Sequence, residues 1–273
     1  MLTQGESVDQ LQPPQERTGP GAQNRSIASD KQMGDEWCYQ EASYTLLLDL
    51  TEMSVAAKQT KHWMGEFGRE YTDRNALSLG ELEAMYKQRY GFERSHLNHM
   101  FLGSMKPSIS ILEVGSNVGD QLRLLQRMGF ARLYGIELQR YAAELSKLRT
   151  NDIELVQGTV FRIPCRTGIF DLVFTSGLLI HINPSDITHA MQEIHRCSRK
   201  YIWGFEYHAD KYSEATYRGH KDLLWKADFA KMYLDQFKDL QLVKEMCLKN
   251  TDNPDNVDSM FLLAKKVEEP QPT

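Results

Sequence analysis

The stretch ILEVGSNVGD, residues 111–120, sets the carboxylate of Glu113 two residues before Gly115 and places Gly119 four residues further on. An apolar run that enters a glycine turn ahead of a helix brings backbone N–H groups to a nucleotide-like ligand. Gly115 permits a tight turn and Gly119 a close approach of helix to strand. Asn117 stands between them, a residue that accepts left-handed backbone and can donate a hydrogen bond. Glu137 ends a second apolar run, LYGIEL, 18 residues after Gly119. There a carboxylate can accept both ribose hydroxyls of an adenosine. The chain has no GxxxxGK[ST], hence no lysine placed to balance a triphosphate. Glu113 separates the remaining ligands, because a fixed negative charge is unfavourable beside a pyrophosphate and useful beside the ammonium of S-adenosylmethionine. The residues favour a sulfonium donor over a dinucleotide. The competing reading is a glycine-rich turn with Glu113 capping a neighbouring helix and Glu137 as a surface charge.

These residues need a sheet edge to hold them. From Ser108 onward short apolar runs alternate with helical patterns, the mark of a parallel sheet covered on both faces. Strands are expected near Ile109–Val114, Leu133–Glu137, Ile153–Gln157, Asp171–Thr175 and Tyr201–Glu206. Helices are expected near Gly119–Met128, Gln139–Leu148, Ser185–Cys197 (N-capped by Asn183 or Ser185) and Lys226–Phe237. QLVKEMCL and SMFLLAKK, joined by NTDNPDN, read as a closing antiparallel pair. Residues 36–106 read as mainly helical, with YTLLLDLTEM (44–53) open between helix and strand. Residues 1–35 and 267–273, rich in proline and polar side chains, read as disordered tails. The methyl-donor domain is expected over 107–266.

Composition narrows the partners. A net charge of −5 gives no reason to expect nucleic acid. No apolar run approaches the ~20 residues of a membrane span, and MLTQGESVDQ lacks the pattern of a signal peptide, so a cytoplasmic location is expected. Cys38, Cys165, Cys197 and Cys247 show no CxxC and read as reduced structural thiols. His96 and His99 stand three apart without further ligands, and no metal is expected.

EVGSNVG, IEL and FDLVFTSGLLIHI resemble the first, second and fourth-strand motifs of class I S-adenosylmethionine-dependent methyltransferases. HWMGEFGREYTDRN, MYKQRYGFERSHLNHMFLG, HINPSD, EYHAD and YRGHKDLLWKADFA are similar to methylases associated with pseudaminic acid biosynthesis, over roughly residues 59–265. The resemblance implies an α/β, doubly wound, Rossmann-like seven-stranded sheet with a terminal antiparallel pair and a helical N-terminal lid. It implies S-adenosyl-L-methionine as cofactor and methyl transfer from it, without fixing the acceptor. VQGTVF carries Thr159 where many relatives have an adenine-contacting acid, so main-chain groups near Thr159 and Val160 are expected to take that place. HWMGEFGREYTDRN is expected over the cofactor, with Trp63, Phe67 and Tyr71 on one helical face; such a stripe also serves plain packing. Arg74 and Asn75 are placed to reach the donor's carboxylate.

Methyl transfer requires proximity, exclusion of water and, for an amine or alcohol acceptor, removal of a proton. Thr175 ends the fourth strand and Ser176–Gly177 follow it, in the loop expected to face the transferred methyl. His181 follows as a base or substrate contact, or as a histidine bridging the next helix. Glu206 and Tyr207 end the fifth strand, where the carboxylate either binds an acceptor amine or holds the YRGHK loop. In that loop His220 is a further candidate for proton transfer, Tyr217 for acceptor contact, and Arg218 for clamping an acceptor carboxylate. The acceptor is expected to be a small polar metabolite, a nonulosonic sugar or its precursor, methylated at O or N. Alternatives are a peptide or protein side chain as acceptor, or a cofactor-binding non-catalytic subunit.

Overall fold

A computed structural model of the chain describes residues 55–266. The two tails, Cys38 and the YTLLLDLTEM segment lie outside the described residues. Four helices come first: α1 (Val55–Met64), α2 (Glu66–Asn75), α3 (Leu79–Tyr90) and α4 (Arg94–Leu102). There follow β1 (Ser110–Val114), α5 (Asp120–Arg127), β2 (Arg132–Glu137), α6 (Arg140–Arg149), β3 (Glu154–Gln157), β4 (Phe170–Ser176), α7 (Ile187–Cys197) and β5 (Ser198–His208). The chain closes with β6 (Ser213–Glu214), β7 (Trp225–Lys226), α8 (Phe229–Gln236), β8 (Leu240–Lys249) and β9 (Val257–Lys265).

Seven of these strands form one sheet in the order β3-β2-β1-β4-β5-β9-β8. The first five run parallel, and β9 pairs antiparallel with both β5 and β8. All five residues of β1 are buried, as expected for a central strand covered on both faces. Strand order reverses between β1 and β4, the place where open α/β sheets leave a crevice. One face packs on Ile187, Met191 and Ile194 of α7 and Phe229 and Tyr233 of α8. The other packs Ile111, Phe174 and Trp203 on α3, α4 and α5 through Leu82, Tyr86, Leu97, Phe101 and Leu122. Helices α3 and α4 thus share the sheet's own core. A capping box starts α3: Ser78 Oγ accepts from Glu81 N–H, and the Glu81 carboxylate accepts from Ser78 N–H at 2.8 Å.

The fold corrects several sequence expectations. The helix expected from Lys226 begins at Phe229, because Leu223, Leu224 and Trp225 are buried ahead of it and Trp225–Lys226 pairs as a strand with Ser213–Glu214. Asp228 then caps α8, accepting from Lys231 N–H at 2.8 Å. Asp186, rather than Asn183 or Ser185, holds the N-cap position of α7, without a side-chain cap. Asn183 Oδ1 instead accepts from Ser185 N–H at 3.0 Å, closing a turn upstream. The aromatic stripe of residues 63–71 is divided between α1 and α2 by Gly65. Folding also brings together cysteines that are distant in sequence. The Cys165 and Cys197 sulfurs lie 2.9 Å apart as free thiols, and Cys247 joins His208 and Glu245 within 4.8 Å.

Arg94 is wholly buried against Trp203 and Phe205 of β5. Its Nε donates to Asn98 at 2.8 Å and its Nη1 to Tyr86 at 3.0 Å, and the guanidinium lies 4.5 Å from the Phe205 ring. Arg94→Ala should lower stability by about 3 kcal/mol, read as a reduced urea midpoint at unchanged m-value, because the cavity and two orphaned partners remain.

Candidate functional site

A cleft of about 430 Å³ opens over the ends of β2, β1, β4, β5 and β9, roofed by α1–α3. At its β1–β2 end, Gly115 and Gly119 hold φ of +76° and +80° and Asn117 holds φ of +46°, so the loop is left-handed at all three positions. A Cβ on Gly115 would meet Leu178 Cδ1 at 2.9 Å. Glu137 fastens this loop: its Oε2 accepts from Asn117 N–H and its Oε1 from Gln139 N–H, both at 2.7 Å. Each carboxylate oxygen keeps lone-pair capacity for a further donor. Burial pushes the Glu137 carboxyl up, against these amide hydrogen bonds. Glu113 is 2% exposed, and its Oε2 has no partner. Burial pushes it well above the usual carboxylate range, and the buried Arg94 opposes that. A buried carboxyl with a vacant oxygen at the cleft wall is matched by a cationic ligand group, which would favour its ionised form.

Two glutamines that carried no signal in the sequence hold α1 across this cleft. Gln139 Nε2 donates to the carbonyls of Trp63, Met64 and Gly65 at 3.2, 2.9 and 3.0 Å, supplying donors to the carbonyl end of the helix. On the other side Gln59 Nε2 donates to His181 O at 2.5 Å, and Gln59 Oε1 accepts from Asn183 N–H at 3.1 Å. These contacts span 74 to 124 residues, beyond the reach of periodicity or motif.

His181 is 8% exposed, with Trp63 at 4.6 Å, Tyr217 at 5.3 Å and Tyr71 at 6.2 Å between ring centroids. Its Nδ1 lies 2.7 Å from Leu223 O. A carbonyl only accepts, so Nδ1 carries the proton and Nε2 keeps the lone pair. Burial pushes the His181 pKa down to about 4, against the hydrogen bond to Leu223. The ring is therefore neutral at physiological pH.

Of the residues singled out in the sequence, Trp63, Glu113, Gly115, Asn117, Glu137, Thr159, Val160 and Ser176 line the cleft. So do Tyr71, His181, Tyr207, Tyr217 and Arg218. Five do not. Glu206 turns its carboxylate to the amides of Leu178 at 3.2 Å and Ile180 at 3.4 Å, holding the loop after β4 rather than facing the cleft or the YRGHK loop. Thr175 hydrogen-bonds to Glu206, whose pKa burial pushes up to about 7. Gly119 serves the entry to α5, where a Cβ would meet Thr150 at 3.0 Å. Arg74 pairs with Glu70 one turn back, at 3.3 Å, while its neighbour Asn75 does reach the cleft wall. His220 sits outside the rim, 5.4 Å from the Phe67 ring. Thr159 turns its hydroxyl to Phe161 N–H at 3.3 Å. His96 stacks on Phe92, with ring centroids 5.5 Å apart. Sequence reasoning also missed Tyr86, Arg89, Tyr90 and Asp258, which line the β5–β9 end of the cleft.

Comparison with known proteins agrees with this fold. Residues 112–201 match the family described as methyltransferase domain. No curated protein matches the chain. Its fold is similar to that of a chain from the complex between the Haloferax volcanii Trm112 methyltransferase activator and a methyltransferase, with 11% identity, 74% of this chain and 97% of that chain covered, and TM-score 0.57. It is also similar to Burkholderia thailandensis 1,6-didemethyltoxoflavin-N1-methyltransferase with bound 1,6-didemethyltoxoflavin and S-adenosylhomocysteine. There the identity is 15%, with 80% and 93% covered and TM-score 0.59. Residues 112–201 thus resemble a methyltransferase domain, on a fold shared with these two proteins. No helix among the described residues is long and apolar enough to cross a membrane.

Two outcomes follow from the geometry. Gln139→Ala should weaken S-adenosylhomocysteine binding about tenfold in calorimetry and speed amide exchange at Trp63–Gly68, since α1 loses its cap. His181 has a depressed folded-state pKa, so its contribution to stability is present above pH 6.5 and lost as pH falls through about 4. The loss amounts to about 3 kcal/mol. Glu206 has the opposite sign, losing its contribution as pH rises through about 7. The difference between wild type and His181→Gln isolates the histidine, and urea midpoints at pH 7.5 and 4 should show the variant losing less.

Proposed function

We propose that the protein is an S-adenosylmethionine-dependent methyltransferase that acts at O or N of a small polar acceptor, with the donor held by Glu113 and Glu137 and the acceptor facing His181. The two acids carry the reading. They lie on adjacent strands, one with a vacant buried oxygen and the other fastening the glycine loop. Glu137 accepts the ribose hydroxyls, Glu113 faces the donor's ammonium, and main-chain groups of Thr159 and Val160 border the adenine. The bound donor supplies a methyl carbon activated by its sulfonium. Trp63, Tyr71 and the loop at Ser176 exclude water around it.

His181 is the group suited to receive the acceptor's proton. Its Nε2 lone pair is fixed by the Leu223 contact and stays available at neutral pH. Tyr207, Tyr217 and Arg218 border the acceptor, with Arg218 as a hydrogen-bonding fork. The sequence blocks shared with methylases associated with pseudaminic acid biosynthesis support a nonulosonic sugar or precursor as acceptor.

Calorimetry of the full chain with S-adenosylhomocysteine tests the donor site. Binding is expected, and Glu137→Ala should reduce affinity about 100-fold, the worth of one to two hydrogen bonds to a charged group. Unchanged affinity in that variant would remove the acid from the ribose.

A further inference from the structure

The β5–β9 end of the cleft contains an anionic pocket separate from the donor acids. Asp258 on β9 lies opposite Tyr207 of β5 in the sheet register and is 2% exposed. Its Oδ2 accepts from Tyr90 O–H at 2.9 Å, while its Oδ1, also buried, has no hydrogen-bond partner. The cations whose charges bear on Asp258 do not hydrogen-bond to it: Arg94 gives its Nε and Nη1 to Asn98 and Tyr86 and leaves its buried Nη2 without a partner, and Lys226 donates to Asn256. Arg89 stands at the cleft wall with its guanidinium 6.0 Å from the Tyr90 ring. No ion pair to Asp258 occurs among the described residues.

The walls around this carboxylate are aromatic. Tyr86, Tyr90 and Phe205 lie 5.5 to 5.7 Å apart, centroid to centroid. They already take a cation on one side, since the Arg94 guanidinium lies 4.5 Å from Phe205 and 5.2 Å from Tyr86. Asp258 is three strands from Glu113 in the sheet order, roughly 14 Å at the usual strand spacing. An ammonium held by Glu113 is therefore out of reach of Asp258.

We infer that Asp258 and the rings of Tyr90 and Phe205 form an acceptor subsite for a cationic nitrogen, so that the acceptor carries an ammonium group as its handle. A hydroxyl would fill the vacant lone pair alone; an ammonium supplies hydrogen bond and charge together, at a carboxylate oxygen that no cation among the described residues contacts. The inference rests on the donor occupying the Glu113–Glu137 end, which leaves the β5–β9 end to the acceptor.

The test compares two probes of one shape, benzylammonium and benzyl alcohol, on the full chain with and without S-adenosylhomocysteine, by saturation-transfer NMR and calorimetry. Benzylammonium should bind the loaded protein at least tenfold more tightly than the alcohol, and Asp258→Asn should abolish that advantage while leaving S-adenosylhomocysteine affinity unchanged. Equal affinities, or an advantage that survives Asp258→Asn, would overturn the subsite. If Asp258→Asn does not fold, a crystal of the wild type with benzylammonium decides: the ammonium must lie at hydrogen-bonding distance from Asp258, and any other position refutes the inference. Failure of S-adenosylhomocysteine to bind would instead strike the donor reading, while the probe comparison on the free protein still reads Asp258.

Discussion

The site depends on one carboxylate held between two backbone amides. Glu137 takes the Asn117 and Gln139 N–H groups on its two oxygens, at equal distance, and so locks the turn after β1 to the turn after β2. A left-handed backbone at Asn117 costs energy for a residue with a Cβ, and a charge-assisted hydrogen bond at that residue's own amide offsets it. Through Gln139 the same anchor extends to α1, whose carbonyl end it caps. Glycine loop, strand ends and covering helix are thereby referred to a single side chain.

Around it, buried acids on β1, β5 and β9 each meet a different environment. Glu113 is buried with one vacant oxygen and a buried guanidinium nearby. Glu206 is spent on the amides of the following loop. Asp258 is half satisfied by a phenol. Identical chemistry thus yields an electrostatic contact, a brace and an open acceptor, according to what each oxygen meets.

Much of the sheet was legible from residues alone. Apolar runs, glycine turns and the spacing of Glu113, Gly115, Gly119 and Glu137 are local properties, and the strands fall within a few residues of where they were expected, although β5 is longer at both ends. Glu206 shows the first limit. Neighbouring side chains of a strand point to opposite faces, so naming the end of β5 does not tell which of Glu206 and Tyr207 faces the cleft; Tyr207 does. The second limit is distance along the chain. Gln59 meets His181 and Tyr90 meets Asp258 across separations of 122 and 168 residues. A glutamine on a helix or an aspartate in a late strand carries no periodic mark of such a partner. The start of α8 failed for a different reason: burial of Trp225 in extended backbone overrode the helical pattern around it.

The latches on α1 are side-chain amides. Gln59 and Gln139 bear no formal charge at any ordinary pH, so their grip on the cover is indifferent to ionic strength, unlike that of an exposed ion pair. Inside, His181 changes protonation with acidity; the two amide side chains do not. Acid reaches the cover only through the Glu137 carboxylate that positions Gln139, while added salt leaves the enclosure in place.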